Sequence, residues 1–115
     1  MHRRSILAPL FVLALLSGCR SPVVAVNITN RSPTPIRNIE VNFPGGTYGV
    51  SSIAAGKTFS NRIKVFYAGA LQIQYSDASG KIKNLTGPSM NKYDHGNIQI
   101  SIDEHGGASG PLQRN

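Results

Sequence analysis

The sequence predicts an all-β protein: a small two-layer antiparallel β-sandwich of about seven strands, placed after a removable N-terminal leader. Three observations carry that fold class. Apolar and polar residues alternate with a period of two in several separate stretches. Clusters of Gly, Pro, Asn and Ser interrupt the chain at roughly ten-residue intervals. After Cys19, no stretch repeats its apolar residues at the helical period of about 3.6.

Along the chain, residues 23–30 put Val24, Val26 and Ile28 on one face of a strand. Residues 36–43 alternate Ile39, Val41 and Phe43 with Asn38, Glu40 and Asn42. Residues 58–67 set Phe59, Ile63, Val65 and Tyr67 against Arg62, Lys64 and Phe66, with Asn61 interrupting the apolar face. Residues 70–77 set Leu71, Ile73 and Tyr75 against Gln72, Gln74 and Ser76. The cleanest alternation is in residues 97–103, where Ile98, Ile100 and Ile102 face away from Gln99, Ser101 and Asp103. Weaker strands are expected over 48–53 and 81–86.

Turn chemistry separates these runs. Pro33 and Pro35 lack backbone donors and exclude a central strand between Asn30 and Ile36. Pro44-Gly45-Gly46 and Ala55-Gly56-Lys57 make tight reversals. Asp77-Ala78-Ser79-Gly80 reads as a four-residue hairpin turn, with Gly80 free to take a positive φ. Residues 87–96 form a longer connection. Residues 105–115, rich in glycine and with almost nothing to bury, are expected to be an unstructured tail. The domain then spans 23–104, with a small barrel as the alternative closure.

The pattern Asn30-x-Ser32, Pro35-Ile36-x-Asn38-Ile39-x-Val41, and Ile53-Ala54-Ala55-Gly56-Lys57 resembles immunoglobulin-like modules of bacterial envelope proteins, in which an apolar-x-x-Gly turn joins two strands. The chain lacks the paired cysteines and buried Trp of true immunoglobulin domains, so the resemblance implies fold and not function.

The leader explains the N-terminus. Arg3 and Arg4 form a positive n-region, and Ile6 to Leu16 is apolar apart from Pro9. At ~1.5 Å per residue this run spans about 16 Å, half a bilayer core, as in a signal-peptide h-region. The paired arginines faintly resemble a twin-arginine signal. Leu16-Ser17-Gly18-Cys19 resembles the bacterial lipobox at all four positions. That resemblance implies removal of residues 1–18 and lipidation at Cys19, whose thiol is a nucleophile suited to a thioether-linked diacylglycerol. Residues 19–22 become a lipidated tether. Arg20 stands where an Asp would imply inner-membrane retention, so the resemblance implies an outer membrane facing the periplasm in a Gram-negative cell. Cys19 is the sole cysteine, and no intramolecular disulfide can form.

Once 18 of the 115 residues are removed, 97 remain, enough for one small domain. They carry ten Lys and Arg against five Asp and Glu, a net charge of +5. The positive residues are dispersed rather than clustered, which argues against nucleic acid as a partner and fits a surface facing anionic headgroups. The partners expected are the membrane, through the N-terminal lipid, and an envelope protein or anionic glycan.

No residue pattern carries catalysis, and no cofactor is implied. Asp94-His95 lies in a loop and reads as a solvated turn rather than an acid–base pair, since adjacent residues rarely orient one another. Tyr93-Asp94-His95 offers donors but not the spacing of a metal site. His105 sits in the glycine-rich tail. No serine occupies Gly-x-Ser-x-Gly. The triplets at Asn27, Asn30 and Asn84 match a glycosylation acceptor but have no meaning expected of a bacterial lipoprotein. The candidate binding surface is a polar sheet face: Arg62 and Lys64 on one strand, Gln72 and Gln74 on the next, Lys81 and Lys83 on a third. If these strands form a meander, the four cations flank a flat face suited to an anionic ligand. An ordinary solvated face with edge lysines gives the same pattern.

These readings favour a non-catalytic binding or structural module over a small-molecule or glycan carrier. A carrier needs a roomy cavity, and the inward residues are almost wholly aliphatic.

Overall fold

A computed structural model describes residues 22–114 of the chain. Residues 1–18, Cys19 and the first residues of the tether lie outside that range. The described residues form eight strands: β1 Val24–Asn30, β2 Ile36–Phe43, β3 Gly46–Ile53, β4 Thr58–Ile63, β5 Gly69–Ser76, β6 Ile82–Met90, β7 Gly96–Asp103 and β8 Gly106–Ser109. They build two four-stranded sheets, ordered β4-β1-β7-β8 and β3-β2-β5-β6, packed as a sandwich. Pairing is antiparallel except between β1 and β7, which run parallel with Val26 beside Ile98 and Ile28 beside Ile100. Parallel neighbours need a long crossover, and here the whole second sheet lies between them in sequence.

The alternation read from the sequence is the core. Val24, Val26 and Ile28 of β1 and Ile98, Ile100 and Ile102 of β7 are fully buried. Ile39, Val41, Leu71, Ile73 and Tyr75 meet them from the other sheet. Each such aliphatic side chain contributes ~1.5–3 kcal/mol relative to exposure. In β2 the register against β5 slips between Arg37 and Glu40, where Asn38 takes a left-handed φ of 52°. This bulge turns both Ile36 and Ile39 inward across two exposed residues, a break in strict alternation that asparagine tolerates better than most side chains.

Three expectations are corrected. The strand expected over 58–67 ends at Ile63; Val65 is still buried, but Tyr67 is 54% exposed because residues 64–68 cross from one sheet to the other. β6 runs on to Met90, into residues expected to be a connection; it is an edge strand, where Pro88 costs little. The third correction concerns the tail. Residues 106–109 form β8 on the open edge of β7, Leu112 packs against the core, and Gln113 exchanges two 2.9 Å backbone hydrogen bonds with Asn97. The Asp103 carboxylate turns the hairpin by accepting the N–H groups of His105 (2.8 Å) and Gly106 (3.1 Å). Backbone pairing with β7, rather than side-chain burial, orders Gly106–Ser109, so its glycines do not prevent it from forming a strand.

Candidate functional site

The six-residue face expected from the sequence is not assembled. Arg62 lies on β4, at the edge of the first sheet opposite Ala25, and Lys64 follows one residue beyond the strand. Gln72 and Gln74 lie on β5 in the second sheet, exposed, opposite Thr86 and Asn84 of β6. Lys81 belongs to the turn before β6. Lys83 lies opposite buried Tyr75 and so shares the inward side, while its neighbour Ile82 points outward at 61% exposure. The cation pairs therefore belong to different sheets, and β4 and β5, adjacent in sequence, do not pair. Lys83 tolerates its position because β6 is an edge strand: the stem lies along the sandwich and the ammonium reaches the rim, 3.9 Å from Asp77.

Lys83 instead belongs to one end of the sandwich. At this end β1, β3, β5 and β7 finish and β2, β4, β6 and β8 begin. Its loops are held by polar side chains spent on backbone. Asn30 is fully buried; its Nδ2 donates to the carbonyls of Thr34 (2.8 Å) and Ile53 (2.9 Å), and its Oδ1 accepts from the N–H (2.9 Å) and hydroxyl (2.7 Å) of Ser32. Asp77 accepts from the Ser79 hydroxyl (2.7 Å) and the N–H groups of Ser79 and Lys81 (3.0 Å each), making the expected hairpin turn, with Gly80 at φ 83°. The Ser79 hydroxyl, the two N–H groups and the Lys83 ammonium hold its carboxyl below the usual range.

Between these loops is a cleft of about 310 Å³, lined by Ser32, Pro33, Ile36, Tyr75, Lys83, Asp103 and Glu104 among others. Thr34, Asp77 and Ala78 divide it from a shallower depression of about 520 Å³ that includes Arg37 and Asn38. Burial, and then the charges of Asp77 and Asp103, raise the Tyr75 phenol. Three carboxylates and one ammonium give this cleft an acidic balance suited to a hydroxyl-rich or basic segment. Among the described residues, no group of three or more His, Cys, Asp or Glu converges to hold a metal ion.

The opposite end is where β1 begins. Here the 44–45, 64–68 and 91–95 loops are joined by backbone hydrogen bonds, from Phe66 N–H to Pro44 (3.0 Å) and from Tyr93 N–H to Val65 (2.7 Å). Asp94 was expected in a solvated turn, but it is 6% exposed. It accepts the N–H groups of Asn91 (2.9 Å) and His95 (3.2 Å), and the Nε and Nη2 of Arg114 (both 2.8 Å). Its contact with His95 is through the backbone, so the two do not form an acid–base pair. No sequence signal pointed to Arg114, which lay in the segment read as unstructured.

On the long side of the sandwich, Tyr48 of β3 stands between Phe43 and Phe59, with ring centroids 6.3 and 6.4 Å away. Its buried hydroxyl has no hydrogen-bond partner, and burial pushes the phenol up to about 12.

No family model matches the chain, and no curated protein matches it either. Among solved structures, an NMR structure of a protein from Eubacterium rectale aligns with a TM-score of 0.52 at 11% identity, covering 82% of this chain and 91% of that one. At that identity the likeness is one of fold.

Proposed function

We propose that this chain is an envelope lipoprotein, anchored through Cys19, whose β-sandwich is a non-catalytic module that contacts an envelope partner with its membrane-distal loops. The observation that carries the reading is Leu16-Ser17-Gly18-Cys19 at the end of the apolar leader, four residues before the backbone of Val23 joins the sandwich. Several acyl chains make such an anchor stable, at ~0.8 kcal/mol per buried CH₂.

The module reading rests on how polar groups are used. Asn30, Asp77, Asp94 and Asp103 spend their oxygens on neighbouring N–H groups and hydroxyls. The interior is a cluster of aliphatic side chains closed by Tyr75 and Met90, which argues against an internal carrier cavity. The acidic cleft is the contact surface, and its charge fits a basic or hydroxyl-rich segment of an envelope protein better than an anionic glycan.

The test is metabolic labelling with a fatty-acid analogue. The wild-type chain should be labelled and Cys19→Ala should not. Equal labelling of the two would refute the anchor. For the module, a photo-crosslinking residue at Ala78 should give a discrete adduct in intact cells and one at Ser60 should not. Identical patterns would refute the distal cleft as the contact surface.

A further inference from the structure

We infer that the tether end of the sandwich is a membrane-contact face, which lays exposed aromatic rings and cations onto anionic lipid headgroups. This rests on the anchor proposed above but concerns a different property, the orientation of the domain on the surface.

The face is one continuous structure. Three loops meet there through the Phe66–Pro44 and Tyr93–Val65 backbone bonds, and Gly96 N–H bonds the Val23 carbonyl at 3.2 Å, which ties the entry of the tether to the same end. Phe66, Tyr67 and Tyr93 are 50%, 54% and 51% exposed. They are three of the four exposed large apolar side chains among the described residues; the fourth, Ile82, is at the far end. Amphipathic aromatic rings concentrate at membrane interfaces, where one part is dry and another wet.

The local backbone fixes two of these rings. Phe66 lies against Gly45, which has φ 117° and where any Cβ would collide with the ring. Tyr93 adopts a left-handed φ of 57°, unusual for a bulky side chain, with Lys92 Nζ 5.0 Å from the ring centroid.

Charge points the same way. Arg62, Lys64 and Lys92 stand at this end, and its one acid, Asp94, is bound to Arg114. Of the other four acids, Glu40 lies within β2, and Asp77, Asp103 and Glu104 are at the far end. An anionic leaflet attracts such a face, by about five-fold in affinity per cation.

Tether length commits the face to lipid. Four Cα steps separate Cys19 from Val23, at most about 14 Å when extended. A cysteine whose glyceryl group sits at headgroup depth therefore holds Val23, and the loops beside it, within about 14 Å of the headgroups.

The chain contains no Trp, so single-tryptophan variants report position without background. The full lipidated protein is prepared as Tyr67→Trp, Tyr93→Trp and Ile82→Trp and reconstituted in vesicles of zwitterionic lipid with phosphatidylglycerol and brominated acyl chains. Flotation with the vesicles reports the anchor separately. The expected result is blue-shifted, bromine-quenched emission for Tyr67→Trp and Tyr93→Trp, and water-like, unquenched emission for Ile82→Trp. Adding Lys64→Glu and Lys92→Glu should reduce quenching severalfold while flotation persists. Because Tyr93 holds a strained backbone, Tyr67→Trp stands as the variant that disturbs packing least. Protein that floats but shows equal emission from all three positions, or a blue shift without bromine quenching as a protein contact would give, overturns the inference and leaves the anchor standing. Protein that fails to float refutes the anchor instead.

Discussion

Arg114 reaches back across 20 residues to grip Asp94 with two 2.8 Å hydrogen bonds, closing the C-terminal segment over the loop that leads into β7. Gly96 marks the same closure. A Cβ there would collide with the Gln113 carbonyl, so the segment can lie flat only over a glycine. The pair joins two segments that the sequence presents as a loop and a loose end.

The grip sets an acid dependence. Hydrogen bonds from Arg114, then from the Asn91 and His95 N–H groups, with the Arg114 charge, hold the Asp94 carboxyl well below its ordinary 3.8, against the opposing effect of burial. A carboxyl with a lowered folded pKa contributes stability that is complete above the ordinary value and is lost as pH falls through it toward the folded one. Asp94→Asn should cost about 1–3 kcal/mol at pH near 7, from weakened acceptors for two N–H groups and the guanidinium. Its deficit in urea midpoint should narrow as pH drops below about 4. A deficit that stays constant with pH would contradict this role.

Asn30 should be among the most sensitive polar residues. Alanine there removes the side-chain donor to the Ile53 carbonyl and the acceptor of the Ser32 N–H in a buried corner, while the Ser32 hydroxyl keeps the Thr34 carbonyl at 2.7 Å, and Asn30→Ala should cost about 1–3 kcal/mol by urea melt. Asn30→Asp keeps the acceptor for Ser32 but removes the donors to Thr34 and Ile53, and should do no better. A near-neutral Asn30→Ala would mean that water replaces the network.

Ile73 and Ile100 are 2% and 0% exposed, on facing sheets. Each truncated to Ala should lose ~2–5 kcal/mol, a visible share of the ~5–15 kcal/mol available to a domain of this size. Unchanged thermal midpoints in both variants would contradict the packing.

Tyr48 inverts the usual expectation. Its buried hydroxyl contributes no hydrogen bond, so Tyr48→Phe should be neutral or stabilising by up to about 1 kcal/mol. In an alkaline difference spectrum one tyrosine should ionise near 12 in the wild type, and that step should vanish in the variant. A destabilised Tyr48→Phe would reveal a partner for the hydroxyl.

How much of this was readable follows from what each signal measures. Alternation reports which side of a strand is buried, so the core of β1, β5 and β7 could be read residue by residue. It does not report which strands are neighbours. The cationic face failed there: joining Arg62 and Lys64 to Gln72 and Gln74 assumed that β4 and β5 pair, whereas residues 64–68 carry the chain between sheets. Lys83 failed for a related reason. Lysine was assumed to face outward, but at a strand edge a long stem can lie inward and still deliver its charge to the rim. β8 was invisible because its glycines bury little and its order comes from backbone bonds to β7. With β8 unread, Arg114 had no place, and the partner of Asp94 could not be found.

The central claim is the anchor, and mass spectrometry of tryptic peptides from the membrane fraction tests it most directly. Trypsin cuts after Arg4 and Arg20, so an unprocessed chain releases residues 5–20 as one peptide. The account predicts that this peptide is missing and that Cys19-Arg20 appears carrying a thioether-linked diacylglycerol. Recovery of an unmodified 5–20 peptide, or of a mature N-terminus elsewhere with a free Cys19, would contradict it.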